Sequence, residues 1–186
     1  MSTNSAHAPE ITTTDSEVVY QNKWIRVRED KIQRASGAEG IYSVVEKPDF
    51  AIVLPVDGDH IYMVEQYRYP VGVRQLEFPQ GTWDDNPGVD PQTLAKGELR
   101  EETGLEAKSW TYIGFQYLAP GLCNQGYHIY LAQEFTQGAQ QLDAEEEGLT
   151  VHRLPVSLLI EKFKAGEITD ASTCNAFGQA RLQGLI

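Results

Sequence analysis

Apolar and polar residues alternate along the first part of the chain, and this period of two predicts β-strands. Between residues 17 and 45 the apolar positions Trp24, Val27 and Ile32 follow the alternation, and "ASGAEG" supplies a turn. We therefore predict a small β-meander over residues 17–45. Residues 1–16 are rich in Ser, Thr and Asn and lack a hydrophobic period, so they are predicted to form a flexible tail.

The middle of the chain predicts a hairpin followed by one helix. In "FAIVLPVDGDHIYMVEQYRYP" two apolar runs flank Asp-Gly, which is typical of a tight β-turn. Further on, Pro91 suits the first turn of a helix, and Gly104 suits the left-handed residue that follows a helix end. A helix is therefore expected from Pro91 to about Thr103, with Ala95 and Leu99 facing the core.

The last third predicts three more strands and a helical end. "SWTYIGFQYL", "GYHIYLAQEF" and "LTVHRLP" are the strands, "PVSLLIEKFKAG" is an amphipathic helix, and "ASTCNAFGQARLQGL" is its continuation or a short second helix. Strands precede, flank and follow the central helix without a regular βαβ alternation. This order favours an α+β sandwich with a mixed sheet over residues 46–186. A chain of 186 residues with 41% hydrophobic composition can bury one such core.

Composition limits the partners and the compartment. The 27 acidic and 15 basic residues give a net charge of −12, which disfavours nonspecific binding to nucleic acid or to anionic membranes. A polyanionic substrate would therefore need a bridging cation. No run reaches the roughly 18 apolar residues of a membrane span, and no export signal is evident. Two isolated cysteines, Cys123 and Cys174, form no disulfide framework, so a cytoplasmic protein is expected.

Three glutamates stand close together at the end of the predicted helix. Glu98, Glu101 and Glu102 occupy positions i, i+3 and i+4 of "GELREETGL", and no Lys or Arg lies three or four residues away. Near the negative end of the helix dipole each anion costs about 0.3–1 kcal/mol. Carboxylates are hard oxygen ligands, so the cluster suits Mg²⁺ or Mn²⁺ bound to a phosphorylated small molecule. The alternative is a solvated acidic helix end.

The same segment resembles the signature of the Nudix hydrolases. That pattern reads Gly, five residues, Glu, seven residues, then Arg-Glu-apolar-x-Glu-Glu-x-Gly-apolar. In "GTWDDNPGVDPQTLAKGELREETGL", Gly81 opens the pattern and residues 98–105 close it. The loop is two residues longer than the pattern, Val89 stands at the first glutamate, and Gly97 replaces the arginine. We hypothesise that these two side chains form a dispensable pair that was lost together. Activity that appears only after both are restored would contradict this.

The resemblance covers residues 17–182 and is closest to the ADP-ribose pyrophosphatase branch. It implies a Nudix α/β/α sandwich in which the N-terminal meander packs or swaps across a homodimer. "VEQYRYPVGVRQLEFPQG" is similar to the strand and turn that precede the signature in this branch, with Gln80 in place of the usual alanine. The resemblance implies substrate binding by Arg68, Arg74, Glu77 and Pro120, and metal binding by Glu98, Glu101, Glu102 and the backbone carbonyl of Gln80.

The implied reaction is the hydrolysis of a nucleoside diphosphate linked to another group, with ADP-ribose or a related nucleotide sugar as substrate. Glu102 would take part in catalysis through the metal. For the base that activates water, "LDAEEEGLTVH" offers Glu145 as first choice and Glu147 as second, unless this is only an acidic surface loop. Alternative substrates are GDP-mannose, NADH or a capped RNA end. A further alternative is a catalytically weak Nudix domain that senses a nucleotide, which Val89 and Gly97 favour.

Overall fold

Two structural units make up the chain in the computed structural model, which describes residues 9–83, 86 and 88–186. The first unit contains the residues up to Lys47 together with Ala119–Gln125. The second unit contains Pro48–Leu118 and Gly126–Ile186. The predicted meander and the predicted sandwich therefore correspond to separate units, and each is described by itself.

The N-terminal unit is an antiparallel sheet of three strands in the order β1-β2-β3. Its short turns are consistent with the predicted meander. The segment Ala119–Gln125, from the middle of the chain, joins it, and the Val45 N–H donates to the Leu122 carbonyl (2.9 Å). The strands are β1 (Ile11–Gln21), β2 (Arg26–Arg34) and β3 (Glu39–Glu46).

The expectation of a flexible tail is wrong for residues 11–16, which form the first half of β1. Their side chains are exposed, so no hydrophobic period marks them. Backbone pairing with β2 holds them instead, with Ile11 opposite Arg34. Lys31 adds an ion pair with Asp15 (2.9 Å). Residues 1–8 of the predicted tail lie outside the described residues.

The second unit is built on a seven-stranded sheet in the order β10-β5-β4-β9-β8, with β6 beside β5 and β7 beside β4. The β4 and β9 strands run parallel and the other pairs are antiparallel, so the sheet is mixed as predicted. Gly58 has φ 60° in the predicted hairpin turn. The strands are β4 (Phe50–Asp57), β5 (His60–Arg68), β6 (Val73–Glu77), β7 (Gln80–Gly81), β8 (Leu105–Tyr117), β9 (Gly126–Gln137) and β10 (Thr150–Pro155).

The central helix, α1 (Pro91–Thr103), has the predicted bounds. The Asp90 side chain caps its start by accepting a hydrogen bond from the Thr93 N–H (2.9 Å). Gly104 ends it with φ 72°, a conformation that glycine adopts without strain. The C-terminal region contains two separate helices, since Gly166 ends the first of them in the same way. These are α2 (Val156–Ala165) and α3 (Ala171–Leu182).

Alternate residues of β4 face opposite sides of the sheet and pack against different helices. On one side Ala51 and Val53 contact a cluster that includes Leu99 of α1. On the other side the core includes Leu159 of α2 and Phe177 of α3. Ala95 and Leu99 are fully buried, as predicted. The second unit is therefore the predicted α/β/α sandwich, with its core on both faces of the sheet. Within the described residues, no helix is long and apolar enough to cross a membrane.

Candidate metal and active site

Two of the three predicted glutamates turn into the protein from the same face of α1. Glu98 is 5% exposed and Glu102 is 1% exposed. Gly81 of β7 makes room for the first of them, because a Cβ there would overlap Oε2 of Glu98 and lie 2.8 Å from its Cδ. The backbone N–H of Gln80 donates to Oε2 of Glu102 (3.1 Å). The short strand β7 thus shapes the pocket for both carboxylates.

A third carboxylate, that of Glu146, completes the group. One carboxylate oxygen from each of Glu98, Glu102 and Glu146 lies within 4.8 Å of the other two. Glu146 ends a 3₁₀ helix over Ala144–Glu146, where the Asp143 N–H donates to its Oε2 (2.9 Å). Consecutive side chains of a 3₁₀ helix point about 120° apart, so only one of three neighbours can face the group.

The glutamates that the sequence favoured as the base, Glu145 and Glu147, are exposed and lie outside this group. The sequence analysis did not select Glu146, because three identical residues in a row give no signal of which one turns inward. The local turn and the hydrogen bond from Asp143 decide it. The roles of Glu145 and Glu147 stay predictions.

Glu101, the third glutamate of α1, has partners of its own outside the group. The indole Nε1–H of Trp83 donates to its Oε2 (3.2 Å), and Arg100 Nη2 lies 3.4 Å from its Oε1. The Glu101 charge nevertheless helps to raise the pKa of Glu98. Glu101 therefore flanks the three carboxylates and adds to their negative potential.

Burial and mutual repulsion shift the acid–base properties of the group. Desolvation, followed by the charges of Glu101, Glu146 and Asp143, raises the pKa of Glu98 to about 8. Desolvation and the charge of Glu98 raise the pKa of Glu102 well above its ordinary value. The pKa of Glu146 is also raised, mainly by burial. Bringing these carboxylates together therefore makes the free energy of folding less favourable, and a cation bound between them would offset this effect.

A polar network connects the group to β6 and to the start of α3. Arg68 binds Glu77 through its Nε (2.9 Å) and its Nη2 (2.5 Å). The Gln80 side-chain amide donates to Glu77 (2.9 Å) and to Asp170 (3.2 Å), and the Ser172 hydroxyl donates to Gln80 Oε1 (2.8 Å). The side chain of Gln80, which stands in place of the usual alanine, thus bridges two carboxylates. Its carbonyl as a metal ligand stays a prediction.

Arg68 and Asp170 remain ionised within this network. Burial alone lowers the pKa of Arg68, but the hydrogen bonds and charge of Glu77 outweigh it and leave the pKa raised. Burial alone raises the pKa of Asp170, but hydrogen bonds from Ser172, Thr173 and Gln80 leave it lowered. Sequence analysis missed Asp170, although its position before a predicted helix is a signal for a capping residue.

Two predicted substrate residues have no hydrogen bond to the network around Gln80 among the contacts that the structure describes. Arg74 binds the Glu65 carboxylate (3.2 Å) and the Gly148 carbonyl (3.0 Å), so it connects β6 to the loop that follows Glu146. Pro120 belongs to the segment that joins the N-terminal unit. The structure brings Arg68 and Glu77 into the network around Gln80 but does not bring Arg74 there. Substrate binding by all four residues stays a prediction.

The residues present fit a divalent cation. Two buried carboxylates and the half-buried one of Glu146, without a basic residue in the group, form an all-oxygen donor set, which suits a hard cation and not zinc. Arg68, the nearby cation of the network, is already bound to Glu77. A bound cation would neutralise the group and could contact the oxygens of a phosphate ester or anhydride.

The acidic pocket on α1 suits a divalent cation and the phosphate-ester or anhydride chemistry that such cations support. Comparison with known families identifies the family. Residues 46–172 match the NUDIX domain, and residues 11–45 match the nucleoside diphosphate sugar hydrolase N-terminal domain. The chain belongs to the Nudix hydrolases.

Individual relatives agree with this assignment. The chain is 29% identical over 174 residues to an ADP-ribose pyrophosphatase of Bacillus subtilis, covering 92% of each chain. It is 32% identical over 161 residues to an ADP-ribose pyrophosphatase of Mycobacterium tuberculosis, covering 86% of this chain and 77% of the relative. A crystal structure of an ADP compounds hydrolase superposes with a TM-score of 0.83 at 21% identity, covering 98% of this chain and 100% of the other, and supports the fold.

The raised pKa of Glu98 predicts how the metal-free protein responds to pH. The folded protein keeps a proton on Glu98 up to about pH 8, whereas the unfolded chain releases it near pH 4.5, the ordinary pKa of a glutamate. The folded state thus binds more protons between these values, so its stability is greatest at the low end and decreases as pH rises. With EDTA present, we expect the melting temperature to fall by about 5 °C or more between pH 5 and 8.

Two variants and a metal titration test this interpretation. Glu98→Gln removes the titrating group, so its melting temperature should depend less on pH. Glu161→Gln, on the exposed face of α2, should keep the wild-type dependence. Added Mg²⁺ should restore stability most strongly at high pH. An unchanged or rising melting temperature from pH 5 to 8 in the metal-free protein would contradict the burial argument.

Proposed function

We propose that this protein is a Mg²⁺-dependent pyrophosphatase that hydrolyses ADP-ribose or a related nucleoside diphosphate sugar. The group of Glu98, Glu102 and Glu146 carries the proposal. A divalent cation bound by these carboxylates would also bind the oxygens of a diphosphate. The match of residues 11–45 to an N-terminal domain of nucleoside diphosphate sugar hydrolases supports the substrate class. So do the relatives named as ADP-ribose pyrophosphatases.

The proposed metal ligands are Glu98, Glu101, Glu102 and the backbone carbonyl of Gln80, with Glu146 added from the geometry. Mg²⁺ is preferred, and Mn²⁺ would fit the same donors. When bound, the cation would neutralise the charge that develops on the diphosphate oxygens. The protein's own part is to hold the carboxylates in a pocket formed by Gly81 and by the Gln80 N–H.

The substrate is proposed to contact Arg68, Arg74, Glu77 and Pro120. For Arg68 the support is its pairing with Glu77, which uses Nε and Nη2 and fixes the plane of the guanidinium. The Nη1 donors lie outside this pair and can donate to a phosphate oxygen. Gln80 supports the same arrangement by donating to the other side of Glu77.

In the proposed reaction, water attacks one phosphorus of the diphosphate, the bridging P–O bond breaks, and a nucleoside monophosphate and a sugar phosphate are released. A carboxylate takes the proton of the attacking water. We propose Glu145 as this base, with Glu147 second, because both are exposed on the loop that carries Glu146 to the metal ligands. Glu146 itself is proposed to act with the ligands.

The first test is a substrate panel. Purified protein with Mg²⁺ should hydrolyse ADP-ribose to AMP and ribose 5-phosphate, faster than ADP-glucose, GDP-mannose, NADH or diadenosine polyphosphates. Glu102→Gln should lower kcat/KM by at least about 10²-fold, because it removes an anionic metal ligand without changing side-chain size. Quantifying the released phosphate esters by chromatography measures both results, and Glu161→Gln is the matched control on an exposed helix face.

The outcome of the panel also separates the alternatives. Preferred turnover of GDP-mannose, NADH or a capped RNA end would keep the enzyme class and replace the substrate. Binding of a nucleotide without turnover of any compound would contradict the enzymatic proposal and support a nucleotide sensor. In that case, activity gained by Val89→Glu with Gly97→Arg would show that the native site is defective.

The second test identifies the base among three neighbouring glutamates. Glu145→Gln should lower kcat by about 10²–10³-fold while leaving the Mg²⁺ concentration for half-maximal rate unchanged. Glu146→Gln should instead raise that Mg²⁺ concentration, because it removes a carboxylate from the buried group. Steady-state kinetics at several Mg²⁺ concentrations separate the two effects. If only Glu147→Gln lowers kcat, the base is Glu147 and the first choice is wrong.

A homodimer formed through the N-terminal sheet is part of the proposal. Its support is the exposure of large apolar side chains on that sheet, including Val19 (54%) and Ile41 (64%). Light scattering should give twice the chain mass of 20.8 kDa, and Val19→Asp with Ile41→Asp should halve it. Leu182→Asp, at a still more exposed apolar position of α3, should remain dimeric. A monomeric wild type would contradict the dimer.

A cytoplasmic location is also proposed, since Cys123 and Cys174 are both free thiols. Recovery of the protein outside the cytoplasmic fraction of its own cells would contradict it.

A further inference from the structure

Gly97 is an unexpected residue in the middle of α1. Glycine inside a helix is less favourable than alanine, because it loses more backbone freedom on folding. Gly97 is nevertheless buried there, and its φ is not in the left-handed region. A Cβ at this position would overlap Cζ2 of Trp83 and lie 2.8 Å from its Cη2. The absence of a side chain is therefore what lets the indole ring lie against the helix.

The indole that fills this space is held on two sides. Its ring packs against the core cluster that includes Ala95 and Leu99. Its Nε1–H donates to Oε2 of Glu101 at 3.2 Å. The ring that packs against the core thus places its N–H donor at the carboxylate of Glu101, which lies one turn beyond Gly97.

The indole covers one of the two departures from the Nudix pattern and shares an apolar cluster with the other. Val89 and Trp83 pack against the same apolar cluster, where the pattern has a glutamate at position 89. Gly97, where the pattern has an arginine, is covered by the Trp83 ring. An apolar contact with one N–H donor therefore occupies the place where the pattern would put a charged pair.

We propose that Trp83 is a positioning residue that orients the Glu101 carboxylate toward the metal. Gly97 makes this possible, because its lack of a side chain leaves space for the indole. The proposal rests on the proposed function, in which Glu101 is a metal ligand. Without the indole, the Glu101 side chain keeps its ion pair with Arg100, which lies on the exposed side of the helix at 3.4 Å. The carboxylate would then be drawn away from Glu98 and Glu102.

Metal binding is measured without turnover, by the electron paramagnetic resonance signal of free Mn²⁺ during titration of the protein. Trp83→Phe keeps an aromatic ring and removes the N–H donor, and it should weaken Mn²⁺ binding about tenfold, as expected when a group that orients a ligand is lost. Trp110→Phe is the matched control. That indole packs against the same cluster but donates to the Ala107 carbonyl (3.0 Å), so Mn²⁺ affinity should stay within twofold of wild type.

A second substitution tests the same contact from the helix side. Gly97→Ala should displace the indole and weaken Mn²⁺ binding by a similar factor, even though alanine is the better helix former. Gly178→Ala in α3 is its control, because a Cβ there meets nothing within 4 Å. Wild-type affinity in Gly97→Ala would overturn the proposal.

A double variant separates positioning from general packing. If Trp83 acts through Glu101, the double variant Trp83→Phe/Glu101→Gln should bind Mn²⁺ no more weakly than Glu101→Gln alone. Additive losses, or equal losses in Trp83→Phe and Trp110→Phe, would overturn the proposal.

Glu102→Gln distinguishes failure of the proposed metal site from failure of the role of Trp83. If it leaves Mn²⁺ affinity unchanged, the proposed metal site fails. If it weakens binding and Trp83→Phe does not, only the role of Trp83 fails.

Discussion

The burial of like charges on one face of α1 is the constraint on which this structure depends. Glu98 and Glu102 lie one turn apart, almost fully removed from water, and Glu146 approaches them from a distant loop. Desolvation and repulsion both oppose this arrangement. The apolar packing of Leu99, which neighbours Glu98 and Glu102 on the buried side of the same helix, holds α1 against the sheet and so keeps the carboxylates in place. Stability of the core is thus used to maintain a site that is unfavourable until a cation binds.

The surroundings of the site limit how that charge can be balanced. Arg68 is committed to Glu77 by two hydrogen bonds, and Asp170 stays ionised at the start of α3. Gln80 connects these two carboxylates through a neutral amide and adds no charge. A strongly acidic protein that acts on a diphosphate has to place a cation between two anions, and this pocket provides the oxygen ligands for it.

The departures from the Nudix pattern acquire a physical meaning in the folded chain. In the sequence, Val89 and Gly97 are two missing charges, which favours a defective site as much as a dispensable pair. In the structure, the Trp83 ring covers Gly97, and Val89 packs against the same apolar cluster as Trp83. The contact between Trp83 and Glu101 then gives this protein a way to arrange the third glutamate of α1 without the charged pair of the pattern.

Local patterns in the sequence determined the helix from Pro91 to Thr103, the hairpin at Gly58 and the mixed α+β class, because capping residues, turn residues and hydrophobic periods act over a few neighbours. The spacing of Glu98 and Glu102 also placed them on one face. Only the tertiary structure decided that Glu146 joins them, that Arg74 binds Glu65 and that residues 11–16 form a strand. Those outcomes depend on contacts between residues far apart in the chain, or on backbone pairing that leaves no hydrophobic pattern.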